Sequence, residues 1–155
     1  MFNFIKSIGG FFLGIAVFVG FVLLALFLIE GGVWVGSRIL PWLSIVMWIL
    51  FVVDIIIFLP LGLFKKTKSI SSFGFYLSAF IYGLTLWVWS LLLTYFIWGA
   101  FAVIIGVLIA GIGVIPTAIL ATIFEGEFLV TGQIILLLIF TFISNVLGNH
   151  FEETK

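Results

Sequence analysis

The chain has no cysteine, and its single histidine, His150, lies in the C-terminal tail. Disulfide bonds, thiol catalysis and thiolate metal sites are therefore excluded. The sequence also shows no nucleophile paired with a base, no phosphate-binding loop and no metal-ligand spacing. We therefore expect a protein that is not an enzyme and that binds neither a cofactor nor a metal ion.

Charged side chains are almost as scarce, at 8% of the 155 residues, and they balance to a net charge of zero. Ile70–Phe124 contains none, and Ile39–Phe64 contains only Asp54. A soluble domain of this size would carry charges on about 25% of its residues. The chain also lacks the basic surface that nucleic acid requires. Its apolar composition therefore predicts an integral membrane protein whose partner is the lipid bilayer.

The apolar runs predict one all-α domain over residues 1–155, with about five transmembrane helices. Each helix needs about 20 apolar residues to cross about 30 Å of hydrocarbon. In chain order, the predicted spans and turns are Ile8–Ile29, a polar hairpin at Glu30–Arg38, Ile39–Phe64, the lysine cluster, Phe73–Ile97, a turn at Trp98–Gly99, Ala100–Phe124, a turn at Glu125–Glu127, and Phe128–Leu147.

The fourth predicted span allows a second topology, because Gly111, Gly113 and Pro116 interrupt it. Two half-helices forming a re-entrant hairpin would leave four full spans. Irregular backbone at that depth is tolerated only where protein buries it or where it lines a water-filled cavity. Kinked complete helices are more ordinary, since Gly and Pro are frequent in membrane helices. A kinked full span is therefore the preferred interpretation.

Lys65, Lys66 and Lys68 form the only basic cluster. Short loops rich in Lys and Arg remain in the cytoplasm. With two spans before this cluster, the N-terminus is predicted to be cytoplasmic, and five spans place the C-terminus outside. Four spans would bring the C-terminus back to the cytoplasm. The stretch Tyr82–Gly148 resembles small bacterial membrane proteins in general character, without matching a named family, and it indicates a bacterial inner membrane.

Asp54 is the only acidic residue inside a predicted span, and no Lys, Arg or His lies within any span to compensate it. A carboxylate at mid-membrane costs at least ~2.5 kcal/mol on insertion scales. Desolvation therefore favours the neutral acid. Residues of this kind often mark proton or cation pathways, although a protonated Asp can equally serve as a structural hydrogen-bonding group between helices.

Partners for Asp54 are predicted on the third helix, where Ser78, Tyr82 and Thr85 recur at i, i+4 and i+7 and share one face. Folding the chain at the lysine cluster pairs Phe64 with Phe73 in depth, which brings Asp54 level with Gly83, between Tyr82 and Thr85. The same counting places the helix break near mid-membrane, where broken helices build ion sites in many transporters. The predicted ion or proton pathway therefore comprises Asp54, Ser78, Tyr82, Thr85 and Thr117, with a helix break at Gly111, Gly113 and Pro116.

Small residues four positions apart predict close helix packing. They are Gly10 with Gly14, and Gly106 with Ala110, and they suit packing within the chain or self-association equally well. Because about five helices enclose little volume, the leading hypothesis is a homo-oligomeric pore or small transporter for ions or protons. The alternative is a non-catalytic accessory or scaffold subunit that packs against a larger membrane partner.

Overall fold

The computed structural model describes residues 2–64, 66–109 and 113–153, with side chains described from residue 14 onward. These residues are helical almost throughout, and no strand occurs among them. The elements are α1 (Phe2–Val53), a π-helical turn (Asp54–Phe58), α2 (Leu59–Leu63), α3 (Lys68–Leu108), α4 (Val114–Phe124) and α5 (Phe128–Glu153). The predicted all-α fold is confirmed.

Three helical stretches in the described residues are long and apolar enough to cross a membrane: Gly14–Leu63, Lys68–Leu108 and Phe128–Glu153. The 11 residues of α4 fall short of the roughly 20 that a span requires. Large apolar side chains cover the outside of the bundle, and Leu129, for example, is 85% exposed. This apolar surface is suited to contact with lipid. The described residues contain three long helices and one short helix, whereas the sequence predicted five spans.

The hairpin predicted at Glu30–Arg38 is wrong, because α1 continues through this segment without interruption. A helix satisfies its own backbone hydrogen bonds, and local contacts support it here. The Ser37 hydroxyl donates to the Trp34 carbonyl oxygen at 2.9 Å, and the Arg38 guanidinium lies 4.3 Å from the centroid of the Trp34 ring. The prediction of a cytoplasmic N-terminus rested on two spans before the lysine cluster. Because one helical stretch replaces those two spans, residue 2 and the lysine cluster lie at its opposite ends, and the prediction loses its basis.

The continuous helical stretch made by α1, the π-helical turn and α2 is longer than the bundle that it joins. The 50 residues of Gly14–Leu63 extend about 75 Å at about 1.5 Å per residue, which is more than twice the hydrocarbon thickness. Contact with α3 begins near Ile29 and Val33. Residues 14–24 are exposed throughout, so the N-terminal part of α1 extends beyond its neighbours.

α3 is the central helix, and both α1 and α5 run antiparallel to it. Gly36 on α1 contacts Val88, well along α3, whereas Asp54 contacts the earlier residue Ser78. On α5, the later residue Gly148 accepts a hydrogen bond from Ser72 Oγ at 2.9 Å. The C-terminal end of α5 therefore lies at the same end of α3 as the lysine cluster, which contradicts the opposite placement that five spans required.

The segment between Trp98 and Phe124 turns back on itself. Gly99 has φ 80° and ψ −178°, a conformation that is essentially restricted to glycine, and it separates Ala100–Leu108 from the preceding part of α3. The Trp98 and Phe124 ring centroids lie only 6.1 Å apart, so the segment begins and ends at one level. The described parts of this segment, 100–108 and 114–124, are two short helices and not the predicted continuous span, and their arrangement is the one expected of the re-entrant hairpin.

Contacts inside the hairpin explain this geometry. A Cβ atom on Gly106 would lie 3.2 Å from the Val114 Cα atom, so glycine permits the two short helices to approach closely. Thr94 Oγ1 on α3 lies 3.4 Å from Thr117 Oγ1, so α4 packs against the central helix at this point. At the exit, Gly126 has φ 77° and ends α4 in a Schellman motif, so the turn lies where the sequence predicted it.

Candidate functional site

The carboxyl group of Asp54 is positioned by an irregularity in its helix. Pro60 has no N–H and cannot donate to the carbonyl oxygen of Ile56, four residues earlier. Just before Pro60 the chain widens into the π-helical turn, in which the Leu59 N–H donates to the Asp54 carbonyl oxygen five residues earlier. Such turns occur frequently at functional sites. The Ser71 hydroxyl on α3 donates to the Phe58 carbonyl oxygen and ties this turn to the central helix.

Asp54 is 5% exposed, and each of its carboxyl oxygens has a hydroxyl partner on α3. Ser78 Oγ donates to Oδ1 at 2.6 Å, and the Tyr82 hydroxyl donates to Oδ2 at 2.7 Å. Ser78 lies ten residues beyond Lys68, the first residue of α3, or about 15 Å along the helix. That distance is about half of a hydrocarbon layer.

This pair of hydroxyl partners fits both protonation states of Asp54. An ionised carboxylate accepts both hydrogen bonds. A neutral carboxyl group accepts one and donates its own proton to the oxygen of the other hydroxyl, because Ser and Tyr hydroxyls are both donors and acceptors. The heavy atoms can keep their places in either state. The arrangement is therefore chemically able to gain and lose a proton without rebuilding the bundle.

Two cavities adjoin the Asp54 group. The smaller, of about 160 Å³, is lined by Asp54 and by residues towards the lysine end, including Phe75 and Leu147. The larger, of about 400 Å³, lies between α1, α3 and α5 towards the other end and includes Leu40 and Trp89. Asp54 thus faces the smaller cavity, and the larger one begins beyond its Tyr82 partner.

Three aromatic side chains line both cavities and separate them: Phe51, Tyr82 and Phe140. We call them the aromatic partition. The Phe51 and Phe140 rings stack with centroids 5.0 Å apart, and the Tyr82 ring lies 6.4 Å from Phe140. Because the Tyr82 hydroxyl also binds Asp54, this residue connects the carboxyl group to the larger cavity.

Thr85 and Thr117, which were predicted to belong to the same pathway, lie elsewhere. Thr85 donates to the Ile81 carbonyl oxygen at 2.7 Å and lines the larger cavity. Thr117 lies in the re-entrant hairpin and donates to the Val114 carbonyl oxygen at 2.9 Å. The structure therefore brings Ser78 and Tyr82 to Asp54. Thr85 lies at the larger cavity and Thr117 lies in the hairpin, so both are apart from the Asp54 carboxyl group.

The predicted helix break falls between α3 and α4. Gly113 precedes α4, and a Cβ atom there would lie 2.5 Å from the Gly106 carbonyl oxygen, so the backbone tolerates only glycine at this close approach. Pro116 lies in the first turn of α4, where a missing N–H breaks no helical hydrogen bond. Gly111 lies outside the described residues.

The predicted packing residues serve different purposes. Gly106 is buried against Val114 and Thr117 within the chain, so its small size supports the hairpin. Gly14 has no atom within 4 Å of an added Cβ and remains open to a neighbour. Gly10 and Ala110 lie outside the residues whose side chains are described.

The sequence interpretation identified Tyr82 but missed Phe51 and Phe140 of the aromatic partition, and Gln133, which lines the larger cavity. A signal existed for Phe51, because it precedes Asp54 by three residues and therefore shares its helix face. Nothing comparable marked Phe140 or Gln133, since α5 reaches the site only through tertiary packing. No protein-family model, curated protein or solved structure matches this chain. The function therefore has to be inferred from the geometry of the Asp54 group.

Proposed function

We propose that this protein moves protons or small cations across a bacterial inner membrane, with Asp54 as the group that gains and loses the proton. The observation that carries the proposal is a buried acid whose two carboxyl oxygens bind Ser78 and Tyr82 between two cavities. Ionisable residues are costly inside a membrane and commonly mark proton relays there.

The proposed path uses the two cavities in turn. The smaller cavity brings water to Asp54, and the Tyr82 hydroxyl, which can accept one proton while donating another, connects Asp54 with the larger cavity. The aromatic partition blocks free passage between the cavities, since Phe51 and Phe140 stack across the boundary. Transfer past this boundary would therefore proceed through Tyr82, so that protons cross while bulk water does not.

The orientation follows from the lysine cluster, whose charge favours the cytoplasm. The smaller cavity then faces the cytoplasmic side, and the larger cavity faces the outer side. The C-terminal end of α5 lies beside the lysine end of α3 and is cytoplasmic in this proposal. The exposed N-terminal part of α1 supplies an apolar surface for self-association, which supports a homo-oligomer.

Proton flux into reconstituted vesicles tests the role of Asp54. Vesicles carrying a potassium diffusion potential and an internal pH dye should acidify with the wild-type protein. With Asp54→Asn they should remain at the level of empty vesicles, because Asn keeps hydrogen-bonding capacity but cannot ionise. Tyr82→Phe should slow the flux strongly, whereas Tyr76→Phe, on the same helix but at its end, should leave it unchanged. Wild-type flux through the Asp54→Asn protein would refute the proposal.

The exposed part of α1 also favours a second candidate function, an accessory subunit of a larger membrane complex. Residues 14–24 are exposed throughout, and Gly14 and Gly20 have open space around them. Particle mass in mild detergent separates the candidates. A discrete homo-oligomer supports transport, whereas a monomer that is degraded in cells without a partner supports the accessory role.

A further inference from the structure

The larger cavity has a distinct chemical character. Five aromatic rings line it, from Trp48, Phe51, Tyr82, Trp89 and Phe140. Its volume of about 400 Å³ lies within the range of small-molecule sites, roughly 300–1,000 Å³. The face of an aromatic ring attracts cations, and Trp does so most strongly. The walls therefore favour an occupant that combines apolar surface with positive charge.

The polar groups around the cavity point to the same charge. Ser44 and Thr85 each donate to the carbonyl oxygen four residues earlier, at 2.9 and 2.7 Å, and Tyr82 donates to Asp54. These hydroxyls therefore offer the cavity only oxygen lone pairs. No Lys, Arg or His is among the described residues that line it. An anion would meet only the amide of Gln133 and the indole N–H groups of Trp48 and Trp89, whereas a cation meets the hydroxyl oxygens and the faces of the aromatic rings.

Asp54 lies immediately behind one wall, since the Tyr82 ring lines the cavity and its hydroxyl binds the carboxyl group. We infer that the larger cavity binds a lipophilic organic monocation, and that Asp54 releases one proton when the cation enters. This inference rests on the proposed role of Asp54 as the group that gains and loses a proton, and it adds an organic cation as the ion exchanged for that proton. The exchange is balanced in charge, because one positive charge enters as one leaves.

The released proton has a route that does not cross the occupied cavity. Asp54 itself lines the smaller cavity, through which the proton passes to water. The resulting carboxylate keeps its hydrogen bonds from Ser78 and Tyr82 and faces the bound cation across the Tyr82 side chain. When Asp54 is protonated again, that electrostatic attraction is lost and the cation leaves. Protonation of Asp54 and binding of the cation therefore oppose each other, although the proton leaves through the smaller cavity and the cation occupies the larger one.

Equilibrium dialysis of the purified full-length protein against two probes tests this inference. Tetraphenylphosphonium and tetraphenylborate are alike in shape and opposite in charge. We expect saturable binding of tetraphenylphosphonium, release of one proton per bound cation into a weakly buffered solution, and no saturable binding of tetraphenylborate. Asp54→Asn should abolish the proton release and weaken the binding.

A matched pair of tryptophan variants on α1 locates the binding. Trp48 lines the larger cavity and is 62% exposed, so its replacement is compatible with folding, whereas Trp42 is 72% exposed and lies outside the cavity lining. Trp48→Leu should weaken tetraphenylphosphonium binding about tenfold, as expected for the loss of a cation–π contact. Trp42→Leu should leave it unchanged.

Equal binding of the two probes would overturn the inference, because it would show an apolar crevice without charge preference. Cation binding without proton release would also overturn it. If tetraphenylphosphonium does not bind while Asp54-dependent proton flux persists, this inference fails and the proposed function stands. If the cation binds with proton release that Asp54→Asn removes, the inference is supported independently of any flux measurement.

Discussion

Replacing Asp54 by Leu should destabilise the bundle by leaving two buried hydroxyls without partners. Ser78 and Tyr82 are 0% and 1% exposed, so neither side chain reaches the lipid-facing surface for a new partner. An unpaired buried polar group costs roughly 1–3 kcal/mol, and interhelical hydrogen bonds in membranes measure about 0.6–1.7 kcal/mol. Two lost bonds therefore amount to about 1–3 kcal/mol. The cavity of about 160 Å³ beside Asp54 provides room for the larger side chain and limits steric strain.

The triple variant Asp54→Leu, Ser78→Ala, Tyr82→Phe distinguishes lost hydrogen bonds from bad packing. Replacing every partner by apolar groups is nearly neutral, so the triple variant should be more stable than Asp54→Leu alone. Unfolding by sodium dodecyl sulfate in mixed micelles, followed by circular dichroism, measures both differences. The reasoning is refuted if Asp54→Leu is as stable as the wild type, or if the triple variant is less stable than the single one.

Two glycine substitutions test the fold in the same unfolding assay. Gly99→Ala should lower the free energy of unfolding by about 1–3 kcal/mol, because φ 80° and ψ −178° are strained for any residue with a Cβ atom. Gly132→Ala lies in open space within α5, so this control variant should be as stable as the wild type. Gly74→Ala should cost about 1–3 kcal/mol by overpacking, since its Cβ would lie 2.5 Å from the Phe58 ring, and Phe58→Leu should recover part of the loss. A Gly74→Ala protein as stable as the wild type would show that Phe58 relocates freely.

The contact between Asp54 and α3 could be predicted because the chain folds sharply at the lysine cluster. Both helices rise by the same distance per residue, so equal counts from the turn give equal depth. The count placed Asp54 level with Gly83, and the observed partners are Ser78 and Tyr82. The shared face of Ser78, Tyr82 and Thr85 was less informative. Thr85 lies about 10 Å further along the helix than Ser78, which is too far for the same carboxyl group.

Thr117 was misplaced for a related reason. Its predicted depth assumed that residues 100–124 form one continuous span, so the count ran from Phe124 straight through the segment. Tertiary contacts produce a different arrangement, since Gly106 packs against Val114 and Thr117 lies beside Thr94. The sequence was compatible with a continuous span and with a re-entrant hairpin, and its glycines did not distinguish the two topologies. A local pattern cannot show which neighbour a small residue packs against, and this neighbour determines the topology.

The failed hairpin at Glu30–Arg38 has a different cause. Polar and glycine residues there indicated a turn, but a glycine costs only about 1 kcal/mol inside a helix. Two consecutive glycines, Gly31 and Gly32, therefore do not end a helix by themselves. Proline is a stronger signal, and Pro41 nevertheless lies within α1. Propensity along the chain was thus outweighed by helical hydrogen bonding and by the Arg38–Trp34 contact.

Because Trp98 and Phe124 lie close together, the hairpin between them does not affect the direction of α5. A segment that begins and ends at the same level of the bundle adds no membrane crossing, so it does not change the direction of the helices after it. α5 would run antiparallel to α3 even if a short loop joined the two helices in its place. The half-helices are thus an insertion into an ordinary helical hairpin. They can be lengthened, shortened or exchanged without inverting α5, whereas the loss of the lysine turn would let α2 continue straight into α3 and reverse every later helix.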